Sequence, residues 1–298
     1  MRKLSVAVIT MNRSKQLAEA LESCFACVLP NDIEFIVIDN ASTDDTEFVV
    51  HSLFKKYTYS YYYEKMSENL GVGKGRNYAY LKSHGEYVYF LDDDAYIGNK
   101  DLLFFTKALS FLDKNPAVVT LTTQIYDLIW KANRVPDTGP PFVDGLQLLY
   151  MFCGGSHFLR RSFWGDTEPY FPNEYGYEEV LPSLRVADAG FVNAFAPGLL
   201  VIHNPQVNKW NFDDDKNEDY LIKELVCQRV MKTKFYPKLF GPIVYFAYLV
   251  RSRKYLTPDK KRKADQLSDS IVNQYVFGKR IKIFTVFSLW RKFGLGVF

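Results

Sequence analysis

The sequence predicts a doubly wound α/β fold, with a mostly parallel sheet between helices and a helical C-terminal extension. Short, continuous apolar runs alternate with segments of helical spacing from Leu4 to Gln124, the pattern of strands buried on both faces. Polar clusters close three of those runs, at Thr10–Arg13, Asp39–Asp44 and Asp92–Asp94. In such sheets, ligands gather at the carboxyl ends of the strands.

The elements follow in order. Residues 4–9 are β-rich and apolar and predict a first strand. Residues 14–29 place Leu17, Leu21, Cys24 and Phe25 on one helical face. Residues 34–38 predict a second strand, and Ser42 and Thr43 are suited to cap a helix over 44–56. A third strand is predicted over 59–64, a Gly-rich turn and helix over 71–83, and a fourth strand over 87–91. A helix over 101–115 and a strand over 117–124 complete the regular part. Beyond it, 136–144 is a Pro/Gly loop, 170–177 an aromatic loop, 178–189 a helix, and 191–203 a strand, turn and strand. The expected organisation is a catalytic-type domain over 1–205 and a basic, mainly helical extension over 206–298.

Charge divides the chain the same way. From Tyr220 to Phe298 there are 17 Lys and Arg against 4 Asp and Glu, whereas the rest carries 20 against 30. A basic tail on an acidic body suits an anionic partner, either lipid or nucleic acid. Lys260–Lys263 near the aromatic run Tyr245–Tyr248 fits an anionic interface. Residues 239–250 form the longest apolar run, too short to span a bilayer. The opening MRKLSVAVITMNR reads as a strand rather than a signal peptide, so a cytoplasmic protein, peripheral on the inner face of the membrane, is expected. Cys24 and Cys27 form a CxxC inside a helical pattern without a second pair, which points to buried thiols rather than zinc or redox chemistry.

Several residues could carry chemistry. Three adjacent carboxylates, Asp92, Asp93 and Asp94, repel one another unless a cation sits among them. Side chains at i and i+2 of a strand share a face, so Asp92 and Asp94 could hold Mn²⁺ or Mg²⁺ beside a diphosphate. Asp39 could accept a hydrogen bond from a base or a ribose, although capping by its neighbours explains part of that turn. The segment Asn69–Asn77 departs from both the dinucleotide and the P-loop patterns. It could still bring backbone N–H groups and Arg76 near a phosphate. Glu178 and Glu179 either complement a helix dipole or act as a general base. His203 closes an apolar run and is either a third metal ligand or a partly buried histidine.

Together these motifs resemble family 2 of the inverting glycosyltransferases. Val8–Arg13, Val37–Asp44, Glu68–Asn77, Phe90–Asp94, Cys153–Gly155 with Arg160–Arg161, and Tyr177–Glu179 with Leu184–Arg185 match its elements in order over about residues 3–205. The resemblance implies a GT-A fold, with a Rossmann-like sheet, and transfer of a sugar from a nucleotide-sugar donor, UDP-linked in the commonest case, to a glycan or lipid-linked hydroxyl. No nucleic-acid partner is expected. Thr10, Asn12, Arg13, Asp39, Asn69, Gly71, Arg76, Asp92 and Asp93 would face the donor. Asp92, Asp94 and His203 would hold the metal, and Glu179, or else Glu178, would be the base. The family's acidic pair usually ends in Asp, and here the matching position is Glu179. Two other readings stand beside this one: a nucleotidyltransferase that makes the sugar nucleotide, and a non-catalytic binding protein. The absence of Gly from Thr10 to Lys15 argues against the first.

Overall fold

The computed structural model describes residues 2–134, 138–173, 176–205, 215–253 and 257–298, apart from the side chains of residues 100 and 215–221. It divides into two compact units: residues 1–186 with 190–206, and residues 187–189 with 207–298. The expected boundary at 205/206 adjoins residues 206–214, the expected Pro/Gly loop includes residues 136–137, and the expected aromatic loop includes residues 174–175; these residues lie outside the described ones.

The first unit is built on one mixed sheet. Its strands are β1 (Arg2–Thr10), β2 (Ile33–Asp39), β3 (Tyr61–Lys65), β4 (Gly85–Leu91), β5 (Ala95–Ile97), β6 (Val118–Asp127), β7 (Ala132–Arg134), β8 (Thr138–Pro141), β9 (Gln147–Leu149), β10 (Ser156–Arg160) and β11 (Val192–His203). The main path runs β3-β2-β1-β4-β10-β6-β11-β9-β8, with β5 on β11 and β7 on β6. Strands β3, β2, β1 and β4 are parallel neighbours. Between them run α1 (Ser14–Phe25), α2 (Thr46–Tyr57) and α3 (Val72–Lys82), followed by α4 (Phe104–Lys114), the single turn α5 (Arg161–Trp164) and α6 (Val180–Asp188). This is the α/β class the sequence predicts.

Each face of the parallel half carries its own core. Leu4, Val6 and Val8 of β1 point to one side with Leu17, Leu21 and Phe25 of α1, while Ala7, Ile36 and Ile38 meet Ala79 and Tyr80 of α3 on the other. The alternation within β1 follows from the two-residue repeat of a strand. Cys24 and Cys27 lie in the first core as free thiols, and burial pushes Cys27 up to about 12.

Two differences from the sequence reading bear on the site. β10 enters antiparallel between β4 and β6, pairing Ser156 with Leu91 and His157 with Thr122. Residues 192–203 form one strand with an irregularity, not two. Ala196 pairs with Thr123 and Leu200 with Gln124, so Pro197, Gly198 and Leu199 are looped out of the ladder.

The second unit holds α7 (Asp215–Phe235), α8 (Gly241–Ser252), α9 (Pro258–Gln274) and α10 (Ile283–Phe293). Polar contacts to the terminal turn organise it. Arg251 donates to the Phe298 carbonyl at 2.8 Å, and the Tyr236 hydroxyl donates to the Val297 carbonyl at 2.7 Å. Tyr248 is buried, so the aromatic run of α8 is not a single exposed surface. Among the described residues, no helix is long and apolar enough to cross a membrane.

Candidate active site

The carboxyl ends of β1, β2 and β4 lie side by side. Thr10 pairs with Asp39, and the Asn40 N–H donates to the Thr10 carbonyl at 2.8 Å. The loops after β1 and β2 are locked together. The Asn12 side-chain carbonyl accepts from the Thr43 N–H at 2.6 Å, and the Asn12 N–H donates to the Ser42 hydroxyl at 2.9 Å. Asp39 is buried, taking the Ser42 N–H at 2.7 Å on one oxygen and the Tyr63 hydroxyl at 2.8 Å on the other. The turn accounts for one of its partners, and the other comes from the neighbouring strand.

The acidic triplet directly follows β4, and its side chains have different cationic partners. Arg13 reaches Asp93 at 2.7 Å and Asp94 at 2.9 Å. Asp92 turns toward Arg76 at 3.0 Å. Burial pushes Asp93 up to about 6, against the pull of Arg13. Asp94 is also buried, but the hydrogen bond and charge of His203, aided by Arg13, outweigh burial and hold it below the usual carboxylate range.

His203 arrives from the end of β11. The strand β5, immediately after the triplet, pairs with β11 so that Ala95 lies opposite His203, and the Asn204 N–H donates to the Asp94 carbonyl at 2.7 Å. Nε2 of His203 then lies 3.3 Å from Asp94, and Nδ1 lies 2.9 Å from Asp127. Arg134 closes the group at 2.9 Å from both Nδ1 and Asp127. One ligand atom each from Asp92, Asp94 and His203 fall within 4.8 Å of one another. Two carboxylates and an imidazole suit a borderline-hard divalent ion such as Mn²⁺. The half-exposed side of Asp92 leaves room for further ligands.

Arg76 is the hub of the acidic rim. One terminal nitrogen reaches Glu178 at 2.6 Å and Glu179 at 3.2 Å, and the other reaches Asp92 at 3.0 Å and the Gly154 carbonyl at 3.0 Å. The sequence suggests a phosphate contact for this residue. The structure buries it on α3 with carboxylates on both of its terminal nitrogens. Glu178 and Glu179 lie in the turn before α6, and the Glu179 carbonyl accepts the Ser183 N–H at 3.0 Å. Burial and the charge of Glu178 push Glu179 up to about 8, with Arg76 pulling the other way. One Glu178 oxygen is buried without a hydrogen-bond partner among the described residues, a costly state that marks a strained or functional group.

Two glycines are demanded by close approach. A Cβ on Gly154 would fall 2.0 Å from Glu179 and 2.3 Å from Arg76. One on Gly73 would fall 2.1 Å from the Phe171 carbonyl. The Gly-rich turn therefore abuts the loop that leads to the acidic pair. Gly71 starts α3 at φ 77°, and the Asn69 side chain accepts its N–H at 2.9 Å.

Sequence reasoning missed Asp127, Arg134, His157 and Tyr170. Nδ1 of His157 donates to the Gly154 carbonyl at 2.9 Å, so Nε2 accepts from the Tyr170 hydroxyl. Burial, reinforced by Arg76, keeps this imidazole neutral. The signal available was a polar residue inside an apolar strand, Ser156–Arg160.

The chain is similar to several known proteins. A family model described as glycosyl transferase family 2 matches residues 5–165. The poly(ribitol-phosphate) β-N-acetylglucosaminyltransferase TarS of Staphylococcus aureus is 35% identical over 178 residues, which is 58% of this chain and 30% of that protein. The poly(ribitol-phosphate) β-glucosyltransferase of Bacillus spizizenii is 32% identical over 120 residues, 40% of this chain and 18% of that protein. The chain thus spans less than a third of the length of these relatives. Among solved structures, TarS residues 1–349 with UDP-GlcNAc aligns at a TM-score of 0.62 and 20% identity, covering 85% of this chain and 73% of that one. The mannosyltransferase PcManGT of Pyrobaculum calidifontis, with GDP-Man and Mn²⁺, aligns at 0.62 and 16% identity over 100% and 86%. These likenesses identify the fold as GT-A. With more than half of its length matched by the family model, the chain belongs to glycosyl transferase family 2.

Proposed function

We propose that this chain transfers a sugar from a nucleotide diphosphate to an acceptor hydroxyl by a single displacement that inverts the anomeric centre. The observation that carries the reading is the convergence of Asp92, Asp94, His203, Glu178 and Glu179 at one rim of the sheet, tied together through Arg76 and β5.

The roles follow from position. Glu179 is the more exposed of the acidic pair, and its raised pKa matches a base working near neutral or slightly alkaline pH. It takes the proton from the acceptor hydroxyl as that oxygen bonds to the anomeric carbon. The bond from that carbon to the diphosphate oxygen breaks, and the diphosphate leaves with the electron pair. Glu178 holds Arg76, and Arg76 holds Glu179 and Asp92 in register. Asp92, Asp94 and His203 would hold a divalent cation, which supplies electrostatic stabilisation to the leaving diphosphate. Thr10, Asn12, Asp39, Asn69 and Gly71 shape the nucleotide side, and Arg13 with Asp93 sets the floor between it and the metal ligands.

Donor and acceptor classes are taken from relatives. TarS residues 1–349 are in complex with UDP-GlcNAc, and UDP is proposed as the donor nucleotide. Relatives are named for poly(ribitol-phosphate) and, at 38% identity over 98 residues, for an undecaprenol-diphosphate glycan in Campylobacter jejuni. A glycan that is phosphate-rich or lipid-linked is proposed as the acceptor, which would place the reaction on the cytoplasmic side of a membrane.

Incubation with a panel of nucleotide sugars and Mn²⁺ tests this through release of the nucleoside diphosphate and through thermal shift. Release from one donor, lost in Glu179→Gln while that variant still gains thermal stability from the donor, is the expected result. Wild-type turnover in a folded Glu179→Gln protein would overturn the assignment of the base. No release and no stabilisation by any donor would overturn the reaction.

A further inference from the structure

The helices α8 and α10 of the second unit are apolar on both faces. α8 buries Val244, Tyr248 and Ser252 at helical spacing. Its opposite stripe carries Ile243, Phe246 and Val250, and Phe246 is 66% exposed. α10 buries Val286 and Leu289 while exposing Phe284 at 80%, with Phe287 and Trp290 at about half. A surface helix of a soluble domain turns polar residues outward, and side chains this large are seldom left in water as a group.

The two stripes start from one place. Phe287 packs against Phe240, the residue before α8, at 5.6 Å between ring centroids. Phe298 bridges Phe240 at 5.7 Å and Trp290 at 6.0 Å. Leu295, 67% exposed, lies in the same terminal turn.

Charge identifies what covers this surface. Residues 225–258 and 270–298 contain no Asp or Glu. Lys238 and Arg253 flank α8, and Arg291 and Lys292 end α10, all exposed. A second copy of this chain would set these cations against their own likeness across a twofold contact, and a protein core would leave them buried and unpaired. A bilayer bearing acidic headgroups accepts aromatic side chains at its interface and meets the cations with opposite charge. α8, at twelve residues, extends about 18 Å, well short of the roughly 30 Å hydrocarbon core, so it lies along the surface rather than across it.

We infer that α8 and α10 form an anionic-membrane docking surface, with Phe246 and Phe284 as the inserting side chains. Phe246 belongs to the aromatic run Tyr245–Tyr248 that the sequence reading pairs with Lys260–Lys263; the inference replaces that cluster on α9 with the exposed face of α10. The inference does not depend on the transfer reaction, because vesicle binding is read without any sugar donor.

The test is flotation of the full chain with vesicles of phosphatidylcholine alone or mixed with phosphatidylglycerol. Wild type should float with the mixed vesicles at low salt and detach at about 1 M salt, where screening acts over about 3 Å. The double variant Phe246→Ser, Phe284→Ser should partition at least about tenfold more weakly, and Arg291→Gln with Lys292→Gln should weaken binding to the mixed vesicles alone. A circular-dichroism melt checks that each variant is folded. Should the double variant fail to fold, quenching by brominated lipid of the fluorescence that Trp290→Phe removes gives the same answer on the wild-type surface. Failure of wild type to float, or flotation of a folded double variant at wild-type levels, overturns the inference. So does a wild-type dimer that the double variant dissolves without any vesicle binding.

Discussion

Two buried carboxylate clusters sit at opposite ends of the same strands and differ in how well they are satisfied. At the amino end, Glu34 takes the Ser5 hydroxyl at 2.6 Å and the His84 N–H at 2.6 Å on one oxygen, and Arg2 lies 3.1 Å from the other. At the carboxyl end, Glu178, Glu179 and Asp92 share one guanidinium, and a Glu178 oxygen has no hydrogen-bond partner among the described residues. Burial alone therefore does not mark a functional acid. Crowded like charges around a single counter-ion do, because that arrangement costs stability that a purely structural cluster avoids.

The comparison is broken most severely at Arg76. Replacing it with Met would leave three carboxylates facing one another without a cation. Loss of one partner from a buried ion pair costs about 3–5 kcal/mol. Urea unfolding should show a loss of that order, accompanied by loss of turnover. A midpoint equal to wild type would mean that the three acids do not depend on Arg76.

Glu179→Gln should separate activity from stability. Removing a general base lowers turnover by roughly 10²- to 10⁴-fold. The pKa of Glu179 is raised in the fold, so the fold favours its protonated form. Its contribution to stability is full below the ordinary carboxylate pKa of about 4.3 and is lost as pH rises through about 8. The Gln variant, which mimics the protonated acid, should therefore melt higher than wild type at pH 9, with the gap closing toward pH 4. In wild type, kcat/KM should fall below pH about 8 as the base is protonated. An acid limb that persists unchanged in Glu179→Asp and follows another group would point to Glu178 instead.

How much of this was legible in the sequence depends on chain distance. Thr10, Asp39 and Asp92–Asp94 each end a local apolar run, so strand periodicity alone brings them to one edge. Of the partners of His203, Asp94 was expected beside it as a fellow metal ligand, whereas Asp127 and Arg134 were not legible. The full group requires β11 to pair with β5 and β6 over separations of about a hundred residues and about seventy-five, together with the irregularity at Pro197. The placement of Arg76 was missed for a related reason. A cation after a Gly-rich turn suggests phosphate, and only the packing of Phe171, Asn173 and Glu178 against α3 shows that carboxylates occupy its reach.

The proposed metal ligands sharpen the contrast more gently. Asp94→Asn or His203→Asn, each removing a direct ligand, should weaken Mn²⁺ binding by about 100-fold, the upper end of the roughly 10- to 100-fold range found for outer-shell partners, or more, measured by calorimetry on the apo protein. Asp127→Asn, acting only through the orientation of His203, should fall at the lower end of that range. Equal affinity across the three variants and wild type would remove the cluster from consideration as a metal site.

The smallest effect belongs to the other end of the strands. Glu34→Gln keeps the shape of the side chain but loses the ion pair with a partly exposed Arg2 and one charge-assisted hydrogen bond. A loss of about 1–2 kcal/mol is expected. β2 runs seven residues from Ile33 to Asp39, which is roughly 20 Å, so kcat and KM should stay at wild-type values, since sites this far apart act independently. A fall in kcat larger than the loss of stability explains would mean that the strands transmit strain from one cluster to the other, and the division between a structural end and a chemical end would fail.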